Sequence, residues 1–459
     1  MRFSDYIDSL RGKRVAVIGA GISNTPLIEA LLLAGVDTTV CDRQSREQLA
    51  DAATKFEDMA AKLSLGDSYL EKLEADVIFR TPGIMPWNAA LQEAADRGAV
   101  LTSEMEAFFD VCPCKIIAVT GSDGKTTTTS IIAEILKKEG ITIHIGGNIG
   151  TPLLCKADDM QPDDIAVLEL SSFQLISMKK SPNIALITNI TPNHLDVHRD
   201  MDEYVDAKRN IFAHQNSLGK LVLNLDNPIT RSFAAFASGE ALFFSRHEKV
   251  SNGFYAEDGV IYESKAGQSE ELMSCEDILL PGAHNVENYM AAFAAASGLA
   301  GRSSMVETAR TFPGVPHRIE LVRELRSIRY YNDSIASSPT RTIAGLRAFE
   351  QKVILIAGGK DKGIEFDELA IEILERVKTL VLTGLTAQSI KTAVLNAPGY
   401  AGTPEIIVCS DFAQAVHEAS EAGSEGDIVL LSPACTSFDR FRNFEERGDT
   451  FKEIVKGLT

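Results

Sequence analysis

The chain has 459 residues, 45% of them hydrophobic and 24% charged, an ordinary composition for a soluble globular protein and long enough for two to four domains. Its formal net charge is −19 and its pI about 4.9, which argues against nonspecific binding to nucleic acid or an anionic membrane and requires any anionic ligand to be met by local lysines, arginines or metal ions. No uncharged run reaches transmembrane length, the first residues do not resemble a signal peptide, and seven scattered cysteines suit a reducing cytoplasm better than a disulfide framework.

In chain order, "KRVAVIGAGISN" places a buried parallel strand at residues 15–18, then a tight turn, and "TPLIEALLLAG" reads as a helix with a terminal glycine. "DTTVCDR" and "EADVIFRTPGI" read as further strands. Strand and helix patterns alternating in this way imply a parallel α/β unit. A second α/β series begins near "DVCPCKIIAVTG" and includes the apolar runs "IAVLELSSF" and "IALITNIT". Cys112 and Cys114 have no second pair at zinc-site spacing, so "CPC" reads as a proline-stiffened linker. Proline and glycine cluster again in "TFPGVPHR", marking a second boundary. The last segment carries strands in "KVILIAGG", "TLVLTG", "EIIVCS" and "DIVLLSPA". The expected fold is therefore α/β with three domains, each on an open, mostly parallel sheet. The first and third are Rossmann-like and the central one is of the P-loop ATPase type, with bounds at 1–110, 111–314 and 315–459.

Two glycine turns carry chemistry. "GAGISN" supplies Gly19 and Gly21 of a G-x-G-x-x-G pattern whose third place is Asn24, and Asp42 ends the next strand where dinucleotide folds hold a ribose. A nucleotide diphosphate on the helix N-terminus, from NAD or a UDP-sugar, fits these residues. So does a tight turn with no ligand. The second turn, "VTGSDGKTTTTSII", lacks the glycine spacing of the usual P-loop. It still joins an anion nest of successive N–H groups, a helix N-terminus, a lysine and magnesium-ligating hydroxyls at consecutive positions. That coincidence over Gly121, Ser122, Asp123, Gly124, Lys125, Thr126 and Thr127 points to bound phosphate rather than a merely capped helix.

The spacing "TGSDGKTT" resembles that of the Mur ligase family of ATP-dependent amide-forming enzymes. "GGNIG" (146–150), "LELSSFQL" (168–175), "NITPNHLDVH" (189–198), "GAHNVENYMAA" (282–292), "GVPHR" (314–318), "YNDSIASSPT" (331–340) and "SPACTSFDRFRNFEERG" (432–448) resemble the family's further motifs, in the expected order and over the whole chain. The last of these is most similar to the member that adds D-glutamate to UDP-N-acetylmuramoyl-L-alanine. The resemblance implies ATP and Mg2+ (or Mn2+), phosphorylation of the alanine carboxylate and attack of the D-glutamate amine on the acyl phosphate. It also implies a cytoplasmic monomer making peptidoglycan precursors, with no nucleic-acid partner and no membrane insertion.

Residue by residue, the resemblance assigns Lys125 to the ATP phosphates, with Thr126, Glu169 and His194 on the metal side. Lys208 matches a lysine carbamylated by CO2. Asn285 and Asn288 match adenine contacts, and Arg318 and Asp333 match γ-phosphate and nucleotide-orienting groups. Gly21, Ile22, Asp42, Arg43 and Asn148 match the UDP-substrate side, with His317 beside them. Ser337, Lys362, Ser437 and Phe444 match the D-glutamate site. Because that site and Lys125 fall in different segments, closure about a hinge near residues 312–316 is expected. Two positions depart from the pattern. Ile335 stands where the family has lysine, so either Lys360 or Arg341 supplies the charge or that lysine is dispensable, and Asn193 stands where it has aspartate. Other ligases of the family, folylpolyglutamate synthetase, an NAD-linked oxidoreductase and a non-catalytic nucleotide sensor are the competing readings.

Overall fold

The computed structural model describes every residue except 72, 194–196, 361 and 362. Three sheets are built, and the chain divides into two compact units. One comprises Met1–Glu276 with Glu287–Thr308, the other Asp277–Val286 with Ala309–Thr459.

The first unit holds two sheets. β1 (Arg14–Ile18), β2 (Asp37–Asp42), β3 (Lys62–Leu65), β4 (Val77–Phe79) and β5 (Val100–Thr102) form an all-parallel sheet in the order β3-β2-β1-β4-β5. The chain returns past β1 between β3 and β4. The glycine turn after β1 therefore sits at the reversal of strand order, where open α/β sheets leave a crevice for ligands.

The second sheet consists of β6 (Lys115–Thr120), β7 (Ile143–Gly147), β8 (Ile165–Glu169), β9 (Ile184–Ile187), β10 (Lys220–Asn224), β11 (Glu240–Ser245), β12 (Gly253–Glu257), β13 (Val260–Lys265) and β14 (Gln268–Ser274), in the order β14-β13-β12-β11-β10-β9-β6-β8-β7. β6 is buried from its second residue to its last, and β8 throughout. Such unbroken apolar runs are what a parallel strand covered on both faces requires. From β6 the chain goes to one side for β7 and β8 and to the other for β9, so this sheet also reverses its strand order beside β6. β12, β13 and β14 end it as an antiparallel extension.

One apolar core runs through both sheets of this unit. It includes Val15, Val17, Val40 and Phe79 from the first sheet and Ala118, Leu168, Ala185 and Ile187 from the second.

In the second unit, β15 (Glu320–Leu325), β16 (Ile328–Asn332), β17 (Val353–Ala357), β18 (Val377–Leu382), β19 (Glu405–Val408) and β20 (Ile428–Leu431) form the order β15-β16-β20-β17-β18-β19, parallel except for the β15–β16 hairpin. Separate apolar clusters lie around Leu355 and Leu380 and around Ile354 and Val381, as alternation along each strand dictates for a sheet covered on both faces.

Candidate active site

The loop 121–124 leaves the end of β6 and opens into the helix Lys125–Lys138. Its shape depends on two glycines. Gly121 has φ +149° and Gly124 φ +77°. A Cβ on Gly121 would come within 1.9 Å of Thr188 Oγ1, and one on Gly124 within 2.3 Å of Asn288 Oδ1. The loop is held from outside by the segment after β9. Thr188 Oγ1 donates to the Asp123 carbonyl at 2.6 Å, and Asp123 N–H donates to Asn189 Oδ1 at 2.9 Å. Ser122 Oγ lies 2.9 Å from Tyr204 Oη. Gly124→Ala should therefore lower stability by about 1–2 kcal/mol through the left-handed backbone alone, more as Asn288 is displaced, and should weaken ATP binding. Thermal melts and nucleotide titration check both.

Lys125 curls over its own loop, its Nζ donating to the carbonyls of Gly121 (2.9 Å) and Ser122 (2.7 Å). Thr126 and Thr127 follow on the first turn. Thr126 Oγ1 donates to Glu169 Oε2 at 2.6 Å, and Asn148 Nδ2 donates to Glu169 Oε1 at 2.8 Å. Glu169, at the end of β8, is 2% exposed. Both its oxygens are thus engaged by neutral donors, which explains how a carboxylate can close an apolar strand.

Lys208 enters beneath the loop from the helix Met201–Ala213 and is 2% exposed. Its Nζ donates to the Gly121 carbonyl at 2.7 Å and lies 4.7 Å from the centre of the Tyr204 ring. Burial, with the Lys125 charge adding to it, pushes its pKa down to about 7, while Asp123 and Glu169 oppose the shift. His198 is held between Ser172 Oγ (2.9 Å) and Glu203 Oε1 (3.1 Å) and stacks on Phe173. His194 lies outside the described residues.

The donors fit a hard cation. Glu169 and Thr126 offer oxygen, the ligand type that Mg2+ takes. Among the described residues, no three His, Cys, Asp or Glu side chains gather as a metal site.

Asn285 and Asn288 lie three apart on the helix Ala283–Ala296. Asn288 Oδ1 accepts from Thr128 Oγ1 at 3.3 Å, and Asn285 Nδ2 donates to the Pro281 carbonyl at 2.6 Å. At the first glycine turn, the Asp42 carboxylate accepts from Ala20 N–H (2.7 Å) and Gln44 N–H (2.8 Å), so it fixes the turn's own backbone. Gly21, Ile22 and Arg43 are exposed beside it.

In the second unit, Asp333 follows β16 and is buried. Ser432 Oγ donates to its Oδ2 at 2.8 Å. Burial pushes its pKa up to about 7 against that bond and the charges of Arg318 and Arg341. Arg341 Nη1 donates to the Ile335 carbonyl at 3.2 Å, so a guanidinium does stand next to the position that lacks a lysine. His317 Nδ1 is 3.1 Å from Asn332 Nδ2, its ring meets Phe444 edge-on, and burial followed by the Lys452 charge lowers its pKa. Ser437 is buried, Ser337 half-buried and Arg318 exposed. Phe444 opens the helix Phe444–Gly457, and its carbonyl accepts from Ser334 Oγ at 2.8 Å. Lys362 lies outside the described residues.

Two buried arginines escaped the sequence reading. Arg447 donates to Ser334 Oγ (2.9 Å), the Ser334 carbonyl (2.8 Å) and the Cys435 carbonyl (3.1 Å), tying together the loops after β16 and β20. Arg80, at the end of β4, donates to the Ile84 carbonyl (2.9 Å) within the Thr-Pro-Gly turn. It also reaches the Phe173 carbonyl and Ser177 Oγ, both at 2.9 Å, in the segment after β8. A charged residue closing the apolar run "DVIF" was the one available signal for Arg80; nothing marks Arg447 among its charged neighbours.

The Mur ligase middle domain matches residues 119–296, and the Mur ligase glutamate ligase domain matches residues 317–435. The chain is 51% identical to the UDP-N-acetylmuramoylalanine--D-glutamate ligase of Clostridium novyi over 459 residues, covering 99% of each chain. It is 49% identical to the enzyme of the same name from Ruminiclostridium cellulolyticum, covering 100% of this chain and 99% of that one. Among solved structures, the UDP-N-acetylmuramate-alanine ligase of Thermotoga maritima aligns with a TM-score of 0.56 at 17% identity, over 97% of this chain and 99% of that one. The MurF ligase of Thermotoga maritima in complex with ADP aligns with a TM-score of 0.54 at 18% identity, over 98% and 97%. These two share the three-sheet fold. The identity over full length and the two matched domains settle the family: the chain is a Mur ligase.

Proposed function

We propose that the chain is an ATP-dependent ligase joining D-glutamate to UDP-N-acetylmuramoyl-L-alanine through an acyl phosphate, in cytoplasmic synthesis of peptidoglycan precursors. The observation that carries this reading is the cluster at the phosphate loop. There the Thr126–Glu169–Asn148 clip and the buried Lys208 meet a glycine cradle that side chains would fill.

In this reading Lys125 turns from its loop carbonyls to the ATP phosphates, so a cation spreads the charge of the transferring phosphoryl group. Thr126 and Glu169, with His194, hold Mg2+ (or Mn2+), which when bound neutralises phosphate charge. Thr126 must give up its bond to Glu169 for this, and Asn148 keeps the carboxylate oriented when it does. Lys208 serves as its carbamate. Gly21, Ile22, Asp42 and Arg43 face the uridine side, the last two through a turn already held by Asp42. Asn285 and Asn288 belong to the adenine side. In the second unit, Arg318 and Asp333 orient nucleotide, His317 lies on the UDP-substrate side, and Ser337, Lys362, Ser437 and Phe444 receive D-glutamate. Arg341 supplies the cation absent at Ile335. The domains run 1–110, 111–314 and 315–459, and the working form is a monomer. Among the described residues, no helix is long and apolar enough to cross a membrane.

The deciding experiment is phosphate release from ATP with each substrate omitted in turn. Release is expected only when UDP-N-acetylmuramoyl-L-alanine and D-glutamate are both present. Release with another amino acid in place of D-glutamate would reassign the acceptor within the family. No release with any acceptor would leave only nucleotide binding.

A further inference from the structure

Cys112 and Cys114 belong to neither constellation described above. Cys112 caps the helix Glu104–Val111, its N–H donating to the Phe108 carbonyl at 2.9 Å. Cys114 stands immediately before β6, whose far end is the phosphate loop. Pro113 restricts the backbone between them, and the two sulfurs come to 3.5 Å. That is ordinary contact for thiols and about 1.5 Å longer than a disulfide bond. Cys112 is half-buried, whereas Cys114 is 8% exposed. A shared hydrogen bond separates their acidities: it draws the Cys114 thiol below its usual range and, together with burial, pushes Cys112 up.

We propose that Cys112 and Cys114 are a vicinal dithiol that closes to a reversible disulfide by exchange with a low-molecular-weight disulfide. Cys112, the more accessible, attacks one sulfur of RSSR as its thiolate, and because its thiol is pushed up this is the slow step. It forms a mixed disulfide and expels RS−, which takes up the proton Cys112 lost. The Cys114 thiolate then attacks Cys112 Sγ from within contact distance, breaks its bond to the second RS group and expels that group as a thiolate, which is likewise protonated. Two protein thiols and one RSSR thus become one protein disulfide and two RSH, with the protein oxidised and RSSR reduced. Cys114 suits the second, resolving step because its sulfur already lies 3.5 Å from Cys112 Sγ, and its thiolate is the attacking species.

Trypsin makes the test direct, since cleavage after Arg97 and Lys115 leaves both cysteines on one peptide, residues 98–115. The reduced full-length protein is treated with oxidised glutathione, alkylated, digested and weighed. The expected result is an unalkylated peptide lighter by two hydrogens, restored to the doubly alkylated form by prior dithiothreitol. Cys114→Ser should stop at the glutathione adduct on Cys112, and Cys112→Ser should stay unbridged. The wild-type peptide carries the decision even if either variant folds poorly. A wild-type peptide that remains doubly alkylated, or that accumulates only the glutathione adduct, overturns the proposal.

Discussion

Lys125→Ala should reduce ligation by ~10² or more while leaving the fold intact. Removing a cation aimed at a transferring phosphoryl group commonly costs at least that factor. The loop itself should survive, because Ser122 and Asp123 are held by Thr188, Asn189 and Tyr204 rather than by the lysine. Two carbonyls, of Gly121 and Ser122, lose the Lys125 donor; the Gly121 carbonyl keeps Lys208. Phosphate-release assays beside a thermal melt separate the two effects. A variant with an unchanged melt and near-normal turnover would remove the phosphate role from the loop.

Lys208→Arg should be as damaging, although it keeps the positive charge. With its pKa pushed down to about 7, a substantial share of Lys208 is neutral near pH 7, where an ordinary lysine is almost wholly charged. Neutral amine attacks CO2 to give the carbamate and one released proton. The product is an anion with two oxygens beneath the phosphate loop, near the Gly121 carbonyl and the Glu169 charge, where an ammonium would repel a metal. Guanidinium cannot make that product. The wild type, stripped of CO2, should lose activity and regain it with bicarbonate; Lys208→Arg should not respond. The same shift has a stability signature of definite sign. Between pH 7 and the ordinary lysine range the unfolded chain binds a proton that the folded, unmodified chain does not. The penalty for the buried amine is therefore full below pH 7 and is relieved as pH rises. An arginine variant that turns over normally, or a bare amine at Lys208 in the active enzyme, would refute the assignment.

What could be read in advance depended on whether a residue's role was local. β1, β6, β8, β17 and β20 announce themselves as apolar runs, and the two glycine turns as the only conformations that let backbone approach a ligand. The hairpins divide instructively. Asp258-Gly259, between β12 and β13, has φ +48° and +78° and carries the favoured sequence for such a turn, a local signal that the sequence reading passed over. Arg326 and Ser327 adopt the same left-handed conformation, φ +53° and +58°, between β15 and β16 without glycine or asparagine, and no local rule points to them. The acidic Glu169 was readable because an apolar run cannot end in an unsatisfied carboxylate. Its partners Thr126 and Asn148, 43 and 21 residues away, are a product of the sheet order. Arg80 and Arg447 are likewise defined by carbonyls that tertiary folding delivers to them.

The shared apolar core of the first unit has a consequence for how the molecule comes apart. Val15, Val17 and Phe79 lie in the same cluster as Ala118, Leu168 and Ile187, and Arg80 spans from β4 to the segment after β8. Freeing the first sheet alone would expose one side of that cluster to water and strand a buried guanidinium, so neither sheet has an inexpensive way to open without the other. Heating should meet them as one cooperative block, and a chain with three sheets should melt as fewer than three independent pieces.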